Sequence, residues 1–453
     1  MGATRNIGSF LGRTKAEDIP SEVFARAKRN LIDTLGVGIG SSRVPLAKIL
    51  SVVLPGKKEG EACLWNGSGR AGALDAAWAN GTLAHALDFD DGGVALTPMH
   101  PSSPVLPAVW ALCESRNLSG RDALTAYIIG VEVECKIASA ISLSHYDHGW
   151  HATPVLGVLG AAAATSWLAG LSQEKVCTAM GIASSMAGGL RANFGTMTKP
   201  LHAGLAARNG LMATMLAEAG WSANQNILET ERGFFEVFQC GELREIDNLG
   251  RPFHFSSPGV SIKRFPTCSA THLCIEALLG LKQEHRINAE MVERIECGIQ
   301  MLAYEVLGKK PEVHSPEQAR FSLHFAMAAV LLEGEVELSH FTPNFISRED
   351  VQSLMKKVRV FIHAELQDLQ SKGKNFGEVT VYFKDGSCIS KRESQVRGRA
   401  PFLLSDTDVD GKFRGCVRQF LGDARTEELL HELHHLESQR QVGNLFPVAY
   451  GLE

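Results

Sequence analysis

Through about residue 262 the apolar side chains of this chain recur at helical spacing among many small residues; beyond Lys263 they begin to alternate. That change of period constrains the fold most. A 3.6-residue repeat lines one face of a helix, and a two-residue repeat lines one face of a strand. In the first part, Ser21 as a cap and Glu22 in the first turn after Ile19-Pro20 signal a helix start, and Val23, Phe24, Ala27, Leu31, Ile32 and Leu35 follow at helical spacing. Gly36 and Gly38 are expected to mark its exit. Further helices are expected over 74–87, 121–141, 154–171, 174–186 and 203–219. Gly and Ala crowd these segments, as in GVLGAAAA at 157–164, and small residues let helices approach closely. A phosphate-loop reading of those glycines fails, because no strand precedes them and no Lys-Ser/Thr follows.

In the second part strands are expected over 292–301, 357–362, 379–383 and 388–390. The last two flank Asp385-Gly386, a hairpin signal. Helices are expected over 316–332 and 348–355, and the helical pattern returns after Ser405, amphipathic over 425–439. The 453 residues exceed the roughly 250–300 at which one core stops growing. The expected fold is therefore mainly α: a large all-helical domain of residues 1–262 and 405–453, made discontinuous by its returning tail, and a smaller α+β lid domain of residues 263–404.

Composition excludes several classes. Lys plus Arg is 45 and Asp plus Glu is 50, and no segment is strongly basic, so no nucleic-acid partner is expected. Positive groups for an anionic ligand must then be gathered locally. The ten cysteines are scattered with no CxxC pair, which argues against a zinc ribbon and for a reduced, cytoplasmic compartment. The first twenty residues lack the apolar run of a secretory signal. The most apolar segment, 154–171, is shorter than the about 20 residues that span a membrane, so a buried helix is expected and no membrane partner.

Five segments are polar where their surroundings are not. His85 to Asp91 ends a helix, with His85 and Asp88 three apart and hence on one helical face. Its acids oppose the helix dipole and require a partner. His100, held extended by Pro101, lies on the loop that follows. His148 and His151 precede the next helix, where the dipole favours a neutral imidazole. Lys199 stands before Pro200 and a helix start, a corner suited to carboxylates, with His202 three residues on. Lys263, Arg264, Cys268 and His272 fall within ten residues at the domain junction, where sites often lie. His85, Asp88, Asp90, His100 and His151 include metal-ligand types, but no HExxH is present and the lysines suit anions, so no metal is expected.

These motifs resemble the MmgE/PrpD family in order and approximate spacing: DFDD at 88–91, HPSS at 100–103, GWH at 149–151, NFGTMTKPLHAGLAARNG at 193–210, KRFPTCSATH at 263–272 and FSLHFAMAAVLLEGEV at 321–336. That family includes 2-methylcitrate dehydratase, cis-aconitate decarboxylase and iminodisuccinate epimerase. The resemblance implies a large helical domain with an α+β lid, a homodimer, no cofactor, and Asp88, His100, His151, Lys199 and Lys263 as site residues. The activity it implies is that of a lyase on a small polycarboxylate.

In such a reaction Lys199, Lys263 and Arg264, with His202 and His272, would bind substrate carboxylates. His151 or His100 would move a proton at a carbon next to a carboxylate, and Asp88 would orient a histidine. Loss of hydroxide gives a dehydratase and loss of carbon dioxide a decarboxylase. Redelivery of the proton to the opposite face gives an epimerase of an iminodisuccinate-like acid, with Cys268 or a lysine as the second acid. A non-catalytic carboxylate-binding relative is the remaining alternative. A nicotinamide enzyme is excluded by the lack of a strand followed by GxGxxG.

Overall fold

A computed structural model describes residues 2–92, 97–141, 144–238, 243–307, 312–370 and 375–445. Cys240 lies outside the described residues. The chain forms two compact units: residues 1–193, 197–262 and 403–453, and residues 194–196 with 263–402.

The first unit is built from α1 (Ala3–Arg13), α2 (Ser21–Gly40), α3 (Pro45–Val53), α4 (Ala73–Ala86), α5 (Ser102–Arg116), α6 (Gly120–Ala140), the single turn α7 (Ser144–Asp147), α8 (Ala152–Leu168), α9 (Gln173–Ser185), α10 (Thr198–Glu218) and the short α11 (Phe234–Val237). Two-residue strands β1 (Ala62–Cys63) and β2 (Arg70–Ala71) pair antiparallel. The helix Asp406–His434 returns to pack along α2. Residues 152–166 of α8 are buried all round, as befits a helix without a polar face. It packs on α5, α6, α9 and α10, and α10 in turn packs on α4.

Small residues set these approaches. A Cβ added at Gly204 of α10 would stand 2.2 Å from the Trp78 carbonyl oxygen of α4. Capping is explicit in α6, where Ser119 accepts from the Asp122 N–H and Asp122 accepts from the Ser119 N–H and hydroxyl. Among the described residues no single helix is long and apolar enough to cross a membrane; α2 and α3, bent by 81°, meet both conditions only together.

Three expectations need correction. Ser21 opens α2 as its first helical residue after the N-cap Pro20. Gly36 and Gly38 do not end α2, which continues to Gly40. They admit Phe413 and Trp65, whose ring atoms would lie 2.8 and 2.6 Å from added Cβ atoms. The loop expected to carry His100 and the residues to Pro104 ends at Pro101, and residues 102–116 form α5.

The second unit holds a four-stranded sheet in the order β4-β3-β5-β6: β3 (Val292–Ile299), β4 (Val358–Ile362), β5 (Gly377–Phe383) and β6 (Cys388–Glu393). β3 runs parallel to β4 and antiparallel to β5. Gly386, at φ 87°, turns β5 into β6. Helix α12 (His272–Glu284) packs on β5 and β6. After the short α13 (Met301–Leu307), the helix expected over 316–332 is broken into α14 (Pro316–Ala319) and α15 (Leu323–Glu333), because Ser322 caps α15 by accepting from the Phe325 N–H.

Candidate active site

The site in the first unit begins where α4 ends. The helix stops at Ala86, and Asp88 takes a left-handed conformation with φ 49°, which aspartate tolerates better than most residues. Asp88 is therefore not on the α4 face with His85; it stands on a turn that reverses the chain and fans out three acids. Asp88 Oδ1 accepts from Lys199 Nζ at 2.6 Å, both groups being buried. Asp90 Oδ2 lies 2.8 Å from His85 Nδ1 and 3.4 Å from His100 Nδ1. Asp91 accepts from the Ser102 N–H at 3.1 Å and from Asn30 at 3.0 Å, so it caps α5 where an acid is favoured. Phe89 is fixed between them: its carbonyl accepts from Lys412, which is also ion-paired with Asp33 at 2.6 Å. The compensation that acids at a helix C-terminus require is thus supplied individually.

The histidines line the same turn. His100 donates its backbone N–H to Thr153 Oγ1, and its Nδ1 lies 2.7 Å from the Asp91 carbonyl oxygen. Its Nε2 lies 3.9 Å from Asp88 Oδ1. His151 is the N-cap residue of α8, held by the bridge of Trp150 to Leu190 and by its own N–H to the Gly189 carbonyl. Its Nδ1 is 3.1 Å from His202 Nδ1. His85 sits between the two, with ring centroids 4.5 Å from His100 and 5.9 Å from His151. His148 is exposed.

Burial pushes the His85 imidazole down to about 3, against Asp90, and pushes His202 down to about 4, aided by the Lys199 ammonium. His151 is held well below its ordinary range by burial first and by Lys199 next; the helix dipole expected to keep it neutral is not the main agent. Asp91 moves the other way, up to about 7, because burial outweighs its hydrogen bonds to Ser102 and Asn30. The site thus presents neutral imidazoles beside the buried Asp88–Lys199 pair, an arrangement suited to moving protons near an anion.

Single donor atoms of His85, Asp88, Asp90 and His100 lie within 4.8 Å of one another, a set that metal ions accept. The Lys199 ammonium, however, already places a positive charge against Asp88, where a cation would be drawn.

Asp88, His100, His151, Lys199 and His202 are brought together in this unit. Lys263, Arg264, Cys268 and His272 belong to the second unit. There Lys263 is buried, and Arg264 gives Nη1 to both Glu276 oxygens at 2.9 Å while lying over the Phe265 ring. Its charge is already neutralised within the unit. Half-buried Cys268 donates its backbone N–H to the Arg320 carbonyl. His272 opens α12, with Nε2 3.3 Å from the Thr267 carbonyl oxygen. His85 and Asp90 were not among the residues singled out for catalysis. Their spacing from Asp88 was visible, but their roles depend on the left-handed turn.

A helical unit carrying this acid–imidazole–ammonium cluster, with a separate α+β unit, matches a known family. Residues 5–246 match the MmgE/PrpD N-terminal domain and residues 265–436 the MmgE/PrpD C-terminal domain. The chain belongs to the MmgE/PrpD family. It is 30% identical to a cis-aconitate decarboxylase of Homo sapiens, over 96% of this chain and 92% of the relative. It is also 30% identical to a cis-aconitate decarboxylase of Aspergillus terreus, over 94% and 92%. Identity to a 2-methylcitrate dehydratase of Escherichia coli is 24%, over 79% and 78%.

Proposed function

We propose that the protein is a lyase acting on a small polycarboxylate, with decarboxylation of cis-aconitate as the leading reaction. The observation that carries this reading is the buried Asp88–Lys199 pair facing His100 Nε2, in a chain that aligns over nearly its whole length with cis-aconitate decarboxylases. In the reaction the bond between the methylene carbon and its carboxylate breaks and carbon dioxide leaves. The electron pair forms a new double bond to that methylene carbon, and the original double bond shifts its pair to the carbon bearing the far carboxylate. That carbon takes one proton, giving methylenesuccinate. Charge builds on the far carboxylate during this shift. Lys199, ion-paired with Asp88, is the cation that would balance it. His100 delivers the proton from Nε2 and is reprotonated from water.

Dehydration of a 2-methylcitrate-like acid uses the same groups in the opposite proton sense, with His100 or neutral His151 as base. It is the second reading, supported by the likeness to the dehydratase. The test is incubation of purified protein with each acid in heavy water, followed by proton NMR. The expected result is methylenesuccinate carrying one deuterium at the newly saturated carbon. Dehydration of 2-methylcitrate alone would move the assignment to the second reading. Absence of turnover and of exchange with both acids would remove the lyase reading altogether.

A further inference from the structure

The tautomer of His100 can be read from its neighbours. A carbonyl oxygen only accepts, so the 2.7 Å contact of His100 Nδ1 with the Asp91 carbonyl requires a hydrogen on Nδ1. The Asp90 carboxylate, 3.4 Å from the same nitrogen, requires the same. Whatever proton His100 takes up or gives away therefore passes through Nε2, the atom turned toward Asp88 and Lys199.

Asp90 Oδ2 also meets His85 Nδ1 at 2.8 Å, which fixes that ring as Nδ1–H too. His85 Nε2 is left as a buried lone pair with no hydrogen-bond partner among the described residues. Asp90 itself is fully buried. Burial opposes its charge, yet the two imidazoles hold its carboxyl well below the usual range. The carboxylate expected to orient a histidine, Asp88, is engaged by Lys199 and approaches His100 at Nε2, the proton-carrying side.

We propose that Asp90 is the positioning residue of the proton transfer: its carboxylate, shared by His85 and His100, fixes His85 as its Nδ1–H tautomer, joins the Asp91 carbonyl in fixing that of His100, and balances the charge of the His100 imidazolium. His85 then acts as a neutral wedge that holds the His100 ring from behind. The proposal rests on the reading that His100 moves the proton. The step it serves is balanced: Nε2 loses one proton to carbon, the imidazolium becomes neutral, and Asp90 keeps its charge throughout. Loss of the Asp90 charge should therefore act on turnover and on the pH profile more than on substrate affinity.

The experiment compares wild type with Asp90→Asn, which keeps the shape and removes the charge. On cis-aconitate, kcat is expected to fall about 10²–10³-fold with KM within about threefold. The basic limb of the kcat profile should move down by about one pH unit, since a nearby carboxylate favours the charged imidazole. An unchanged basic limb and kcat in a folded Asp90→Asn protein would overturn the proposal. A second measurement needs no turnover: two-bond 1H–15N spectra of histidine-labelled wild type and Asp90→Asn across pH, with His100 identified by loss of its signals in His100→Gln. A neutral His100 with hydrogen on Nδ1 is expected. Hydrogen on Nε2 would overturn the proposal even in an active enzyme. If the wild type turns over no polycarboxylate, the lyase reading fails, while a His100 titration that does not move between wild type and Asp90→Asn in these spectra would still overturn the role of Asp90.

Discussion

Asp88 and Lys199 form the contact on which the site turns, because each is buried and each neutralises the other. Removing one partner of such a pair leaves the other charge buried without the ion it was paired with, at a cost of about 3–5 kcal/mol, whereas removing both charges is far milder. Lys199→Met is therefore expected to lose stability in urea by about that amount and to abolish turnover. The double variant Asp88→Asn/Lys199→Met should regain most of the stability and none of the activity, asparagine being tolerated at the left-handed position of Asp88. A Lys199→Met protein as stable as wild type would show that the pair is not buried as a pair of charges. Recovery of activity in the double variant would remove both residues from the chemistry.

The elements hold this pair in place through close helix crossings, and here the limits of sequence reading are plain. The helices centred on residues 74–87, 121–141 and 154–171 were legible because runs of Ala, Gly and Leu kept helical spacing. Helix α5 was not: it is buried all round, so it shows no polar face, and Pro104 and Pro107 look like breakers. Gly36 and Gly38 looked like a helix exit because the breaker rule ignores what packs on the glycine. Asp88 was found by its motif, but the face it occupies was misplaced because a single positive φ redirects the chain. The glycines provide the test at this scale. Alanine in an open helix is favoured over glycine by about 1 kcal/mol. Gly411, in the helix Asp406–His434, has nothing within 4 Å of an added Cβ, so Gly411→Ala should raise the melting temperature. Gly204→Ala must push α10 away from the Trp78 carbonyl and Thr82 of α4. It should cost about 1–3 kcal/mol and lower turnover by moving Lys199 from Asp88. Equal melting temperatures for the two variants would refute the close-crossing account.

At the scale of the whole molecule, buried titratable groups of both kinds give stability a pH optimum. His85, ordinarily 6.5, is held down to about 3; the unfolded chain takes up a proton that the fold refuses, so stability falls as pH drops below 6.5. His202 and His254, both down to about 4, act in the same direction. Asp91 and Glu132 are raised to about 7 from 3.8 and 4.5. The fold keeps protons that the unfolded chain has lost, so their stabilising contribution, complete at low pH, is lost as pH rises to about 7. Above that, the imidazoles are neutral in both states and these two acids no longer change. Glu134 remains. It faces Gly157 and Gly160 of α8, neither carboxyl oxygen has a hydrogen-bond partner among the described residues, and burial holds it well above the carboxylate range. The unfolded chain loses this proton above the ordinary 4.5 while the fold keeps it, so stability falls further as pH rises from there through the folded value of Glu134. Glu134→Gln carries no proton to lose, so its melting temperature at pH 8 should exceed that of wild type, by about 1–2 °C for each 1 kcal/mol in a chain of 453 residues. At pH 5 the difference should be small. Melting curves from pH 5 to 8.5 decide the matter: if wild type and Glu134→Gln fall in parallel above pH 7, Glu134 is ionised in the fold and the alkaline limb has another source.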